Sequence, residues 1–405
     1  MTRCLPPRRA WMIALPFLLV ACATQTPPSS APTPPPAAAQ KPAVATTAAI
    51  APAAAPAPAA SIPPPPPLPK PPTDAVRAAF VSDTATKYGV EPAYIESVLA
   101  RAQIRDGIIA AMSRPAETKP WRDYRPIFVT QQRIDGGQAF LATHREALGR
   151  VEAQYGVPAE IIVAILGVET NWGANTGKYP VVDALYTLAF NYPRTNAPDK
   201  IARENQREAF FRDELGQLFA LGKDTGLDIT TLTGSYAGAM GWGQFMPSSY
   251  RLYAVDGDGD GKRDLFNDLD DVFASVANYF VQKGGWVRGT PVMAPADYTP
   301  GTLALVDSAG EPIHSLATLQ QAGYRPRYPL PADITAAPIV LDGDSGNEHW
   351  LTFRNFRAIW SYNNSIRYAT AVYQLAEAIA GRGPALSPAP VSAPPIVAPS
   401  GQPGA

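Results

Sequence analysis

Glu169 closes the apolar run of "AILGVETNWGANTG", residues 164–177, with no Lys or Arg within a helical turn of it. Its helix face is shared with Ile162, Ile165 and Leu166. A carboxyl group in that setting is desolvated, which disfavours the charged form and raises the pKa. An acid that holds its proton near neutrality can serve as a general acid. On position alone, a buried glutamate satisfied by a distant Arg or by backbone groups is an equal alternative. The residues that follow shift the balance toward chemistry. Gly173, Asn175, Thr176 and Gly177 suit a loop bending away from a helix end. Trp172 offers either a flat face to a sugar ring or a side chain for the core.

Two more stretches could contact a ligand. "GSYAGAMGWGQFMPSSY", residues 234–250, is glycine-rich, so that backbone can approach closely, and supplies Ser235, Gln244 and Ser248 as hydrogen-bonding groups. It is not an esterase elbow, because its Ser follows the Gly directly, and not a phosphate loop, because no G-K-[ST] follows. "WSYNNSIRYA", residues 360–369, clusters aromatic rings with amides, which suits neutral, hydroxyl-rich ligands such as glycans.

"DGDGDGKRDLFN", residues 256–267, matches the first half of a calcium loop. Asp256, Asp258 and Asp260 fill positions 1, 3 and 5, and Gly261 is the turn glycine. Lys262 would offer its carbonyl, and Asp264 stands at position 9. At position 12 Asn267 replaces the bidentate Glu, which weakens the site unless Asp268 reaches in. The alternative is a solvated Asp/Gly turn without metal. Any ion here would be structural, as none is required for chemistry. The histidines, His144, His314 and His349, are scattered and form no zinc pattern.

Together "GVPAEIIVAILGVETNWG", "FNYPR", "GSYAGAMGWGQFMPSSY", "SVANYF" and "YNNSIRYA" resemble the membrane-bound lytic murein transglycosylase B family, from about Ala78 to Ala380. Five motifs in order with similar spacing are highly specific. The resemblance implies an α+β, mainly α fold, with a lysozyme-like catalytic core, an N-terminal helical part and a small β part. It implies cleavage of the β-1,4 bond between N-acetylmuramic acid and N-acetylglucosamine, leaving a 1,6-anhydromuramyl end. Residue by residue, Glu169 matches the family's single catalytic acid/base. Ser235 and Gln244 match glycan-contacting positions, and Arg194 matches an arginine of the cleft. Thr195 stands where relatives often have a second arginine, so how this site holds a peptide or lactyl carboxylate is open. Tyr124, Tyr279, Tyr362, Asn363 and Tyr368 match other cleft positions. Related transglycosylases carry a metal loop where residues 256–267 lie.

The elements that must position these groups read mostly as helix. Residues 137–155 show one apolar face at three- and four-residue spacing, stopped by Gly156. Residues 159–169 are apolar nearly all round, as in a buried core helix. Further helices are expected over 197–221, 268–283 and 365–380. Residues 290–352 read as a small β-containing subdomain, with β-prone runs at 302–306, 338–341 and 350–353. Asp183, the acid nearest to the cleft motifs, sits among apolar residues and reads as structure.

Both ends of the chain differ from this body, 75–382. Arg3, Arg8 and Arg9 precede a ten-residue apolar stretch, Trp11 to Val20, shorter than the roughly 20 residues a membrane span needs. It reads as a secretory signal, residues 1–21. The run into Cys22 resembles a lipobox, which would make Cys22 the lipidated first residue of the mature chain and place it on the periplasmic face of the outer membrane. Residues 22–74 and 383–405 are rich in Pro and Ala and are expected to be a disordered tether and tail. The only cysteines are Cys4 and Cys22, so the body holds no disulfide. Without residues 1–21 the chain has 31 basic and 35 acidic residues, a net charge of about −4. With no basic tail or stripe, nucleic acid is not an expected partner. The expected partners are peptidoglycan glycan strands and, through the anchor, the membrane; cell-wall synthesis proteins are a candidate class.

Four function readings follow. The leading one is a lipid-anchored lytic transglycosylase. A lysozyme-type hydrolase would need a positioned water and usually a second carboxylate. A non-catalytic peptidoglycan-binding lipoprotein would have no use for a protonated acid. A calcium sensor is the weakest reading, since a single loop with a defective twelfth position makes a poor switch.

Overall fold

The computed structural model describes residues 72–113, 119–308 and 310–382. The signal segment, Cys22, nearly all of the tether and the tail lie outside them. The first helix begins at Asp74, one residue before the expected start of the body at 75, with Thr73 as its cap accepting from the Val76 N–H.

Three helices come first: α1 (Asp74–Tyr88), α2 (Pro92–Leu99) and α3 (Asp106–Met112). They are followed by α4 (Trp121–Phe128), α5 (Gln131–Thr143), α6 (Arg145–Tyr155) and α7 (Ala159–Thr170). A two-residue strand, β1 (Tyr179–Pro180), leads into α8 (Val181–Phe190) and α9 (Ile201–Thr225). Its partner β2 (Thr233–Gly234) opens the glycine-rich stretch, before α10 (Pro247–Tyr253) and α11 (Leu269–Gln282). The sheet region holds β3 (Met293–Tyr298), β4 (His314–Ser315), α12 (Leu316–Gln321), β5 (Tyr324–Pro326), β6 (Thr335–Gly343) and β7 (Gly346–Thr352). Helices α13 (Arg354–Asn363) and α14 (Ile366–Ile379) return the chain to the helical core.

The expected fold class holds: mainly α, with a small sheet. Its five strands run in the order β4-β6-β7-β3-β5, every pair antiparallel. Ala294, Ala296, Leu319, Ala336, Leu351 and Phe353 form the sheet's own core. Asp342 at the end of β6 accepts from the Trp121 N–H at 2.7 Å and ties the sheet to α4.

Three expectations are corrected. The 137–155 helix is two helices, broken at His144 (φ −106°, ψ 18°), whose ring packs on Phe140 and Phe273 with centroids 4.4 and 5.6 Å away. The helix expected over 197–221 starts after the Pro198 turn and runs through Gly222 to Gly226. Gly222 is needed inside it because a Cβ there would lie 2.7 Å from the Ile229 side chain. Residues 302–306 are not a strand: Leu305 packs onto the sheet's core cluster while Val306 is 74% exposed. The runs at 338–341 and 350–353 do pair, within β6 and β7.

Candidate active site

Helix α7 carries Glu169 through the middle of the molecule, with every residue but Glu160 buried. Its first N–H, on Ala159, is satisfied by the Glu152 carboxylate at 3.1 Å. At its far end Asn171 and Trp172 both adopt left-handed backbone, φ 52° and 53°. That conformation is uncommon for a bulky side chain. Trp172 is held there by its indole N–H bond to the Val163 carbonyl, 3.0 Å, and by stacking on Phe140. Gly136 and Gly167 make room for the ring, since a Cβ on either would lie under 3 Å from it. Trp172 therefore folds back onto α5 and α7, and its ring is a packing group rather than a platform for sugar.

Glu169 is 2% exposed, and its Oε1 accepts from the Tyr368 hydroxyl. Burial pushes its carboxyl up to about 7, and the Tyr368 hydrogen bond only partly opposes that rise. No cation contributes to the shift. Arg133 on α5 reaches the same helix, but its guanidinium donates to the Gly167 carbonyl and makes no ion pair with Glu169. Asp183 is structural, paired with Arg105 at 2.7 Å and accepting from the Gln103 N–H at 2.9 Å.

Tyrosines from four helices surround the acid. Tyr279 on α11 and Tyr362 on α13 have ring centroids 4.9 Å apart, and Phe245 sits 5.6 and 6.0 Å from them. Tyr279 donates to the Ser361 carbonyl at 2.9 Å and Tyr362 to the Gly243 carbonyl at 2.7 Å. Burial and the proximity of Glu169 push the hydroxyl pKa values of Tyr279, Tyr362 and Tyr368 up, so all three stay neutral donors. Tyr124 on α4 contributes to the rise at Tyr368, and Asn363 is buried at the end of α13.

The glycine-rich stretch wraps the same end of α7. β1 and β2 pair Tyr179 with Gly234, and a Cβ on Gly177 (φ 95°) would lie 2.1 Å from the Gly234 carbonyl, so only glycine permits the approach. Ser235 Oγ accepts from the N–H groups of Ala237 and Ala239, which leaves its hydrogen free to donate. Gln244 (φ 50°) spends its amide N–H groups on the carbonyls of Thr176 and Gly241, both at 3.0 Å, and keeps its Oε1 as an acceptor. Arg194 is engaged elsewhere. It pairs with Glu208 and donates to Asn205 Oδ1 at 2.9 Å, while Thr195 bonds Glu204 through its N–H and hydroxyl.

In the acidic loop, the carboxylates of Asp256, Asp258 and Asp260 converge within 4.8 Å of one another, and all three are exposed. Asp264 turns inward instead, accepting from the Phe266 and Asn267 N–H groups and from the Asn267 side-chain amide at 2.9 Å. Asn267 thus serves Asp264, and Asp268 caps α11, accepting from the N–H groups of Asp270 and Asp271. Buried Asp271, 1% exposed, braces the loop by accepting from Gly257 and Asp264 N–H groups at 2.6 Å each. Trp242 joins this loop to the acid: its N–H groups reach the Leu265 and Phe266 carbonyls, and its own carbonyl accepts from Thr170 beside Glu169.

Sequence reasoning passed over several buried carboxyls, among them one that burial raises as far as Glu169. Glu214 on α9 is 3% exposed and is pushed up to about 7 by burial, while accepting from Ser248 N–H and hydroxyl at 2.9 and 2.5 Å. Its spacing from Phe211 and Leu218, three and four residues away on the apolar face, was the available signal.

Comparison with known proteins agrees with this geometry. The Transglycosylase SLT domain model matches residues 73–377. Membrane-bound lytic murein transglycosylase B of Escherichia coli (strain K12) is 38% identical over 312 residues, 74% of this chain and 81% of that protein. The soluble lytic transglycosylase SltB1 from Pseudomonas aeruginosa is 42% identical and superposes with a TM-score of 0.66, covering 76% of this chain and 99% of that one. The Escherichia coli lytic transglycosylase Slt35, solved in complex with calcium, is 37% identical with a TM-score of 0.65, covering 76% and 93%. A match over three quarters of the chain in both sequence and fold places this enzyme in the Transglycosylase SLT domain family.

Proposed function

We propose that this enzyme is a lytic transglycosylase of peptidoglycan that uses Glu169 alone, first as acid and then as base. It cleaves the β-1,4 bond between N-acetylmuramic acid and N-acetylglucosamine and closes a 1,6-anhydromuramyl end. The observation that carries this reading is a buried carboxyl raised to about 7 with no cation acting on it and a neutral tyrosine as its hydrogen-bond partner. Glycosidases of the two-carboxylate type place a second acid about 5–10 Å away as nucleophile or base; here the groups ringing Glu169 are tyrosines.

Glu169 donates its proton to the glycosidic oxygen as the bond to C1 breaks. The positive charge developing at C1 is met by the muramyl 2-acetamido oxygen and by the dipoles of the cleft. The Glu169 carboxylate, held by Tyr368, then takes the proton of the sugar's own 6-hydroxyl as that oxygen bonds to C1. Glu169 ends protonated as it began, and no water is consumed. The Ser235 hydroxyl and Gln244 Oε1 are the uncommitted groups that suit contacts to sugar hydroxyls and acetamido N–H groups; Tyr124, Tyr279, Tyr362 and Asn363 line the same cleft.

The acidic loop fits a calcium ion in a structural role. Three converging carboxylates repel one another without a cation, and each keeps oxygen lone pairs beyond its backbone bonds. Asp256, Asp258 and Asp260 would hold the ion with the Lys262 carbonyl. Calcium bound by a relative supports this. Its contribution is to stiffen the loop that Trp242 joins to the end of α7. The lipid anchor at Cys22 and a position on the periplasmic side of the outer membrane extend the same proposal, supported by the lipobox-like run and by the membrane-bound relative.

The test is mass spectrometry of fragments released from purified peptidoglycan. Fragments lighter by one water than hydrolytic ones are expected. Reducing ends would mean a hydrolase, and binding without release would mean a scaffold.

A further inference from the structure

Arg133 is a cation that no carboxylate neutralises among the described residues. It lies on the first turn of α5, half-buried. One of its Nη atoms donates to the Gly167 carbonyl, and its guanidinium carbon stands 5.8 Å from the Phe128 ring centroid. Among the described residues no carboxylate pairs with it, and none of its other nitrogens is sealed from solvent. Burial disfavours its charge, with nothing offsetting that. Helix capping does not explain it, because the Gly167 carbonyl already accepts from the Asn171 N–H at 3.2 Å. A guanidinium carries five donors in a planar fork that matches a carboxylate, and here only one is used.

It contacts the helix that carries the acid. Phe128 and Tyr124 share α4 with ring centroids 5.3 Å apart; Tyr124 acts on Tyr368, and Tyr368 bonds Glu169. Gly167, which Arg133 touches, is two residues before Glu169 on the same helix. Meanwhile Arg194, the other arginine considered for an acidic group, is neutralised by Glu208.

We propose that Arg133 is a specificity residue that receives a carboxylate of the substrate's peptide stem, through the donors it does not spend on Gly167. This rests on the peptidoglycan reading above. On a stem-bearing strand the lactyl carboxyl is tied up as an amide and the ionised groups are on the stem, so stem carboxylates are the class of partner that a half-buried, unpaired cation on the helix packed against the acid's own can meet.

The test uses the full chain, as wild type, Arg133→Gln and Arg133→Lys, on glycan strands bearing peptide stems and on the same strands stripped of stems by an amidase. On stem-bearing strands Arg133→Gln should raise KM by about 10- to 100-fold, the size of one lost charge-assisted hydrogen bond. On stripped strands its KM should match the wild type's, and Arg133→Lys should fall between. The stripped strands keep the lactyl carboxylate that the amidase frees, so equal losses on both substrates would mean a brace for α7 or a contact to the lactyl group rather than the stem, and would overturn the proposal, as would no loss on either. A wild type that releases no anhydro fragments from either strand would sink the peptidoglycan reading instead, which separates the two failures.

Discussion

Glu169 and Glu214 are two buried glutamates that burial drives to the same pKa, about 7, yet their surroundings assign them different work. Glu214 accepts twice from a single residue, Ser248, and so pins α10 to α9. Glu169 accepts once, from Tyr368, at the end of a helix, amid neutral tyrosines and next to a glycine-rich loop with unspent polar groups. Desolvation sets the pKa; the partners decide whether the proton is available. A raised pKa alone would nominate both residues, and only the geometry separates them.

Exchanging each acid is the strongest way to break that comparison. Glu169→Gln should lower turnover on the order of 10³-fold or more, the range of general acid and base catalysis combined, while glycan binding and melting temperature stay near wild type. Retained turnover would end the assignment. Glu214→Ala should do the reverse. It leaves the Ser248 N–H without its acceptor and should cost about 1–3 kcal/mol of stability, read as a lower denaturation midpoint, with activity per folded molecule retained.

A subtler change sharpens the Glu169 side. The Tyr368 hydrogen bond lowers the Glu169 pKa, so Tyr368→Phe should raise it further. The proton donor is lost as pH climbs through that pKa. The basic limb of the pH–rate profile should therefore move to higher pH in Tyr368→Phe, by up to about one unit. A shift to lower pH would contradict the stated cause.

Much of this was legible in the sequence, and the reason is periodicity. The all-round apolar pattern of residues 159–169 fixed Glu169 in a core helix, and the loop after it was announced by Gly and Asn. What escaped was three-dimensional partnership. Nothing in one strand of letters couples Glu214 to Ser248, 34 residues on, or turns Arg194 toward Glu208. Trp172 was ambiguous because its role depends on glycines in a different helix, α5. The break at His144 was hidden because apolar spacing continued across it. In the acidic loop, the motif correctly grouped Asp256, Asp258 and Asp260, but Asp264 and Asn267 satisfy each other, which spacing alone does not reveal.

The smallest expected effect is at that loop. Asp271 already braces it through two backbone N–H groups, so calcium should raise the melting temperature by only a few degrees, and Asp258→Asn should abolish the increase. A melting temperature indifferent to calcium would remove the metal from the account.

The central claim is that burial without a cation raises the Glu169 carboxyl pKa to about 7. The most direct test is a carboxyl ¹³C titration of the glutamate-labelled protein, compared with Glu169→Gln and Glu214→Gln. The account predicts two resonances titrating near pH 7, one lost with each substitution. A Glu169 resonance already ionised at pH 5 would contradict it.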